Sequence, residues 1–286
     1  MLTSPSTTAS APSTLSARKL LRHLETLPFW AVHLASLGIF FVPFEWKWAL
    51  LCLGLYVVRM FGITAGYHRY FSHRTYRMNR FWQFCMALLG TTAIQQGPLW
   101  WAAHHRHHHR YSDQPQDIHS PKQRGFWYSH LGWFLLGKND RTRLELVPDL
   151  AKYRELRLLN DYHYLPGIGL ALLCWTFGGA AAFFWGFALS TTLLWHGTFT
   201  INSLAHVFGS RRYETSDTSR NNFWLAIITL GEGWHNNHHY YQNSTNQGFF
   251  WWEIDLTLLA LRALSVLKIT SHLKIKKGDS SLSLPS

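Results

Sequence analysis

The chain has 286 residues, of which 47% are hydrophobic and 16% aromatic, and it carries 15 Trp, 18 His and a formal net charge of +12. Trp at this density belongs at membrane–water interfaces, and no nucleic-acid module accompanies the positive charge, so the expected partner is a membrane and not nucleic acid. Cys52, Cys85 and Cys174 lie inside apolar runs without a C-x-x-C pair, which leaves no sign of a disulfide framework, zinc ribbon or iron–sulfur site.

Residues 1–16 are rich in Ser, Thr, Ala and Pro and read as a disordered tail, leaving residues 17–286 as a single membrane domain. Residues 27–44 form a first apolar span and residues 47–66 a second, separated by Pro43-Phe44-Glu45-Trp46. Arg59 falls inside the second span and is expected to snorkel, or to mark where the helix leaves the bilayer. Residues 81–101 are apolar but broken by Gln95, Gln96, Gly97 and Pro98, and read as one interfacial or half-buried helix. No Asp, Glu, Lys or Arg occurs from Tyr162 to Ser210, room for two more spans at 162–178 and 180–205 that turn at Gly178-Gly179. Lys and Arg gather at 18–22, 67–161 and 268–277 and are nearly absent from the short connections. By the positive-inside rule both termini and the long central region are cytosolic. The expected fold is an all-α integral membrane protein, with four transmembrane helices in two hairpins. A cytosolic helical cap, from 67–161 and 206–270, would carry a di-metal site.

That site is written in histidine. His68-x4-His73, His105-x2-His108-His109, His235-x2-His238-His239 and the lone His206 offer nine imidazoles at or beyond span ends. Imidazole suits zinc, copper, iron and nickel, and nine ligands suit two ions. Residues at i, i+3 and i+4 share a helix face, so each H-x-x-H-H box is expected to present three nitrogens to one point. The run from His104 to His109 also permits the register His104/His107/His108. Asn202 and His206 share a face at the end of the fourth span. His68 and His73 are five apart and do not, so the helix there must end, bulge or unwind, with Gly66 as the place for it. Asp113 and Asp117 follow the middle box as either imidazole acceptors or loop caps. His33 and His196 read as packing residues within spans, His23 and His272 as surface residues, and His119, His130 and His163 as structural. A two-metal, all-nitrogen site at a membrane points to oxygen chemistry on a lipid-soluble substrate. A metal transporter would instead place its ligands along a path through the membrane.

The segments GYHRYFSHRTY, WWAAHHRHHHRYSD, NSLAHVFG and GEGWHNNHH resemble the histidine boxes of the membrane fatty acid desaturases, in the stearoyl-CoA desaturase-like branch. The resemblance runs from the second span to about residue 256 and includes QRGFWYSHLGW and QGFFWWEIDLT. It implies the register His105/His108/His109, leaving His104 and His107 outside the ligand set. It further implies two iron ions on the nine histidines, with Asn202 reaching one metal through a water. A narrow acyl tunnel would kink near Gln95, Trp101 and Thr198. The implied reaction uses O2 and two electrons from a ferredoxin, a b-type cytochrome or a flavin reductase. Its product is a cis double bond, at Δ9, in a saturated acyl chain. Animal acyl-CoA members carry Arg-Asp where this chain has Ala103 and His104, so a bacterial-type enzyme of the inner membrane, on acyl-CoA or acyl-lipid, fits better. A fatty acid or alkane hydroxylase with the same di-iron histidine site is the alternative.

Overall fold

The structure is a computed structural model that describes residues 26–136, 139 and 141–277. The tail expected at residues 1–16, and His23, lie outside these residues. Among the described residues the regular elements are helical apart from one short antiparallel pair, β1 (Arg77–Met78) with β2 (Thr270–Ser271), and isolated bridges from Asn221 to Ser210 and to Trp234.

The first apolar helix, α1 (Thr26–Phe41), closes with a 3-10 turn at Leu37–Phe41 and stops before Pro43. The next, α2 (Trp46–Phe61), continues without a break as a π-helix over Gly62–Ser72. The apolar rod is therefore Trp46–Ser72, about 40 Å at helical rise against about 30 Å of hydrocarbon. The wider winding answers the five-residue spacing of the first box. His73 N donates to His68 O at 3.2 Å, a step from i to i+5 that brings both rings to one side. The helix does not unwind at Gly66; it widens over the whole segment. A Cβ on Gly62 would lie 2.9 Å from the Gly90 nitrogen, so glycine lets this segment lie directly on α3 (Arg80–Thr91).

The single helix expected at 81–101 is instead two. Ile94 and Gln96 adopt φ of 54° and 65°, and α4 (Pro98–Tyr111) restarts with Pro at its first position. Left-handed residues followed by Gly97-Pro98 end one helix and begin another. Asn160 Oδ1 accepts from Trp100 N at 2.8 Å and caps the new start.

Arg59 neither snorkels nor reaches water. It is 1% exposed and donates to Ser190 Oγ at 2.5 Å, Thr191 Oγ1 at 2.8 Å and the carbonyl of Leu55 at 3.1 Å. Hydroxyls from the returning helix replace the solvent that snorkelling would have sought.

Among the described residues, Trp46–Ser72 and Leu165–His206 are the two stretches long and apolar enough to cross a membrane. Laid out straight, the second would reach about 63 Å. It is broken at Gly179, with φ 60° and ψ −154°. A Cβ on Gly186 would sit 3.4 Å from Cys174 Sγ, whereas twelve residues of straight helix separate two atoms by about 18 Å. The helix Leu165–Ala182 thus reverses into a π segment, Phe183–Leu189, and the helix Ser190–Asn202. The return arm packs on α1 through Phe184 against Gly38 and on α2 through Gly197 against Tyr56.

That Gly179 backbone conformation is nearly closed to other residues, at a cost of about 1–3 kcal/mol. Gly179→Ala should lower the thermal midpoint of the detergent-solubilised protein, although open space surrounds the added methyl. Gly169→Ala, also in open space but within regular helix, should not lower it.

Candidate metal centre

The end of the Gly62–Ser72 segment, α4, the Leu204–His206 turn and the helix His235–Tyr240 meet at one place. The nine histidines gather there as two groups. His68, His73, His105, His109 and His238 form one, and His108, His206, His235 and His239 the other. Within each group the ligand nitrogens lie within 4.8 Å of one another.

Each H-x-x-H-H box is therefore divided, which corrects the expectation of three nitrogens at one point. His105 and His109 serve the first group and His108 the second; in the other box His235 and His239 serve the second group and His238 the first. The reason is helical geometry. At about 100° per residue, i+4 lies about 40° to one side of i and i+3 about 60° to the other. The i, i+4 pair stays together while i+3 swings to the neighbouring group.

Hydrogen bonds fix the rings from behind. His68 Nδ1 faces Glu232 Oε2 at 2.5 Å, His108 Nδ1 faces Asp117 Oδ1 at 2.9 Å, and His239 Nδ1 faces Asp217 Oδ2 at 2.5 Å. His206 Nδ1 lies 3.3 Å from Thr218 Oγ1, which donates to Asp113 Oδ2 at 2.6 Å. Both acids that follow the middle box are thus imidazole supports, one direct and one through a hydroxyl. The spacing of the histidines points to neither Glu232 nor Asp217; Glu232 does stand within GEGWHNNHH, three residues before His235, a signal that could have found it, whereas Asp217 has no local signal at all. Glu232 also pairs with Arg69, which is 1% exposed and bonded on its other side to Asp255 at 2.9 Å.

The paired Asn of the third box are rivets. Asn221 Oδ1 accepts from Asn236 N at 3.0 Å and Asn237 N at 3.1 Å, while Asn237 Nδ2 donates to Glu253 Oε2 at 2.9 Å. Arg106 does similar work for the middle box, bonding the carbonyls of Phe71 and Ser72 and both oxygens of Asp149.

The donor set suits cations. With Nδ1–H given to a carboxylate, Nε2 is left as a bare lone pair. Nε2 atoms nevertheless converge, His68 on His238 at 3.0 Å, His73 on His105 at 2.8 Å and His206 on His235 at 3.1 Å. Nε2 of His108 and of His239 are buried with no partner. At His68, His108 and His239, whose Nδ1 faces a carboxylate, Nε2 points inward as a lone pair among further imidazole nitrogens, so the residues fit a metal pair.

Burial pushes His105, His109, His235 and His238 well below the usual imidazole range, and their neighbouring imidazoles push the same way. Asp217 and Asp117 are held below the usual carboxylate range: burial opposes this, but His239 and His108 outweigh it. Metal-stripped protein should therefore be most stable above about pH 6.5, because below it the unfolded chain gains protons that the buried imidazoles refuse. Protonation of the depressed carboxylates removes a further contribution below about pH 4. A thermal-melt series on chelated protein from pH 8 to pH 4 checks the sign; a midpoint that rises on acidification contradicts it.

The other expected residues are placed as follows. His104 Nδ1 meets Trp100 O at 2.8 Å and His107 Nε2 meets Gln116 O at 3.0 Å, both turned from the two groups. Asn202 lines an apolar cavity beside His108 and His235, with Met60, Ile63 and Ile201 on its walls. Trp101 and Thr198 line it too; Trp101 stacks on His105 at 4.9 Å, and Gln95 Nε2 donates to Thr198 Oγ1 at 3.0 Å from outside the lining. His119 packs against His108 at 4.2 Å, and His33, His196 and His130 are bonded to one another in a row.

Residues 44–264 match the fatty acid desaturase family. The chain is 34% identical over 264 residues to an sn-1 stearoyl-lipid 9-desaturase of Anabaena variabilis, covering 91% of this chain and 96% of the relative. It is 38% identical over 253 residues to Delta-9 acyl-lipid desaturase 1 of Arabidopsis thaliana, covering 84% and 82%. It is also 38% identical over 240 residues to an acyl-CoA C20 Delta5-desaturase of Anemone leveillei, covering 81% and 75%. With nine imidazoles gathered as two groups beside an apolar cavity, the chain belongs to the fatty acid desaturase family and is an oxidoreductase of fatty acyl chains.

Proposed function

We propose that this protein is a membrane acyl-lipid Δ9-desaturase with two iron ions. His68, His73, His105, His109 and His238 would hold one iron, and His108, His206, His235 and His239 the other, with Asn202 reaching the second through a water. The observation that carries the reading is the gathering of nine imidazoles against an apolar cavity. Relatives named as lipid 9-desaturases support the regiochemistry and the carrier. Ala103 and His104, in place of a charged pair, support a lipid over acyl-CoA.

Two irons, when bound, supply the O2-dependent oxidation that removes one hydrogen from each of two adjacent methylenes. Overall, the saturated chain, O2, two electrons and two protons give a cis alkene and two waters. The protein's share is position and dryness. Asp117, Asp217 and Glu232 keep the protons of His108, His239 and His68 on Nδ1, so that each Nε2 stays free to ligate. Met60, Ile63 and Ile201 exclude water and enclose methylenes, while Trp101 and the Gln95–Thr198 pair fix the wall beside His105. The bond oxidised is set by how deep the chain enters before it passes the histidines.

In this reading residues 17–286 form one domain with four crossing helices in two hairpins. These are Thr26–Phe41, Trp46–Ser72 and the two arms of Leu165–His206. The cap, from 67–161 and 206–270, and both termini face the cytosol of a bacterial inner membrane. The distribution of Lys and Arg supports this orientation, and cyanobacterial relatives support the setting. An external ferredoxin, b-type cytochrome or flavin reductase supplies the electrons. Lipid profiling of a host expressing the chain should reveal a new Δ9 monoene on glycerolipids, two mass units lighter than its precursor. A product sixteen units heavier would identify a hydroxylase instead, and a monoene confined to acyl-CoA would overturn the choice of carrier.

A further inference from the structure

Between the first histidine box and α3 the chain carries Arg74, Arg77 and Arg80, none of which the metal centre uses. With Tyr70, Gln83 and Tyr153 they line a second, polar cavity at the surface. It backs onto the helix that bears His68. Tyr70 and His68 are two residues apart and so project from roughly opposite sides of that helix.

Two donors in this cavity have nothing to bond. Gln83 is 3% exposed; its Oε1 accepts from Tyr70 Oη at 3.0 Å, and with the amide in this orientation its Nε2 is left without a partner. Arg74 Nη1 is also buried and unpartnered. Its guanidinium is held over the Tyr70 ring at 4.6 Å, with Nε 3.7 Å from Asp149 Oδ2. Buried donors are ordinarily satisfied, so a pair facing one cavity points to an acceptor that belongs there.

The local charge has the same sense. Asp149 is already engaged through both oxygens by Arg106, at 2.7 and 3.1 Å, and Glu155 through both by Arg80, at 2.7 and 2.9 Å. Arg77 has no ion pair among the described residues, and Lys152 adds a further cation 5.3 Å from the Tyr153 ring. The helix α3 starts here with no acid in its first turn and with Arg80 at its first position, against the preference of a helix N-terminus for negative charge. Arginine forks, rather than lysine, match the geometry of phosphate.

We propose that Arg74, Arg77 and Gln83 form a binding site for a phosphate group, carried either by an anionic lipid headgroup or by a free phosphate anion. Phe81, 64% exposed beside Arg80, is an apolar side chain placed to enter the bilayer interface next to a headgroup. This site is independent of the proposed reaction, and its failure would leave the histidine centre untouched.

The test uses the full-length protein in two settings. In detergent it is titrated with inorganic phosphate, and in nanodiscs it is compared in phosphatidylcholine with and without phosphatidic acid, with the thermal midpoint as readout. A midpoint that rises with inorganic phosphate in detergent supports a small-anion site, and one that rises only when phosphatidic acid is present in the nanodisc supports a headgroup site. Arg77→Gln, at an exposed side chain without an ion pair, should fold and should weaken either response about tenfold, the effect of one charge-assisted bond. Gln83→Leu should do the same from inside the cavity, and Arg77→Gln decides the matter should the leucine variant fail to fold. No response to either probe, or an Arg77→Gln protein that responds like the wild type, overturns the proposal. Bound iron and monoene yield, measured in parallel, report on the histidine centre separately.

Discussion

Replacing His238 by alanine should abolish monoene formation and strip iron from the purified protein. His238 is 2% exposed, and its Nε2 lies 3.0 Å from that of His68 and 3.0 Å from that of His109. Its ring centroid is 4.6 Å from that of His73. It is thus the contact by which the third box reaches the first group of ligands. The loss should exceed the roughly 10–100-fold effect of removing an outer-shell partner. Alanine also leaves a cavity, so a stability loss alone would prove nothing. His104→Phe supplies the comparison. His104 is equally buried and lies on the same helix as the middle box, but stacks on Trp100 and stands tilted toward Trp133. That variant should lose stability through the bond to Trp100 O while retaining iron. Iron per chain, measured by mass spectrometry on both variants, separates ligation from packing; equal iron in the two would sink the assignment of His238.

Much of this arrangement is legible along the chain because helical periodicity is local. The i, i+3, i+4 spacing identifies which rings leave a helix together, and the five-residue gap from His68 to His73 demands a departure from α winding, met by the π segment. Gly178-Gly179 marks the reversal because only glycine occupies the conformation that Gly179 adopts. What the spacing does not carry is which of two neighbouring ion positions each ring serves. That depends on the rotation of α4 and of the His235–Tyr240 helix against each other, and that rotation is set by Arg106, Asn221 and Asn236, far apart in sequence. Asp217 reaches His239 from a loop without regular structure, so no periodicity announces it. Arg59 misleads for a related reason. A lone cation in an apolar span suggests an escape to water, but its partners Ser190 and Thr191 lie more than a hundred residues away.

Asp217→Asn should lower metal affinity by about 10–100-fold while leaving most of the fold intact. Asp217 Oδ1 accepts from Ser219 N at 3.0 Å and from Thr215 Oγ1 at 3.0 Å, and an asparagine can keep both bonds with its single oxygen. Its amide must then face His239 Nδ1, where a carboxylate oxygen lay at 2.5 Å. An NH2 group can only donate there, so His239 is driven to the tautomer that carries its proton on Nε2. Nε2 is the atom left buried and unpartnered toward the second group, and a protonated nitrogen cannot ligate. The substitution thus changes one proton's position and little else. Asp217→Glu keeps the acceptor but lengthens the arm, and should recover part of the affinity. The decisive measurement is a competitive chelator titration of the three proteins, read beside their thermal midpoints. Weak binding with an unchanged melt places Asp217 behind the ligand, as a positioning residue. Wild-type affinity in the asparagine variant would mean that the tautomer of His239 is fixed by something other than this carboxylate.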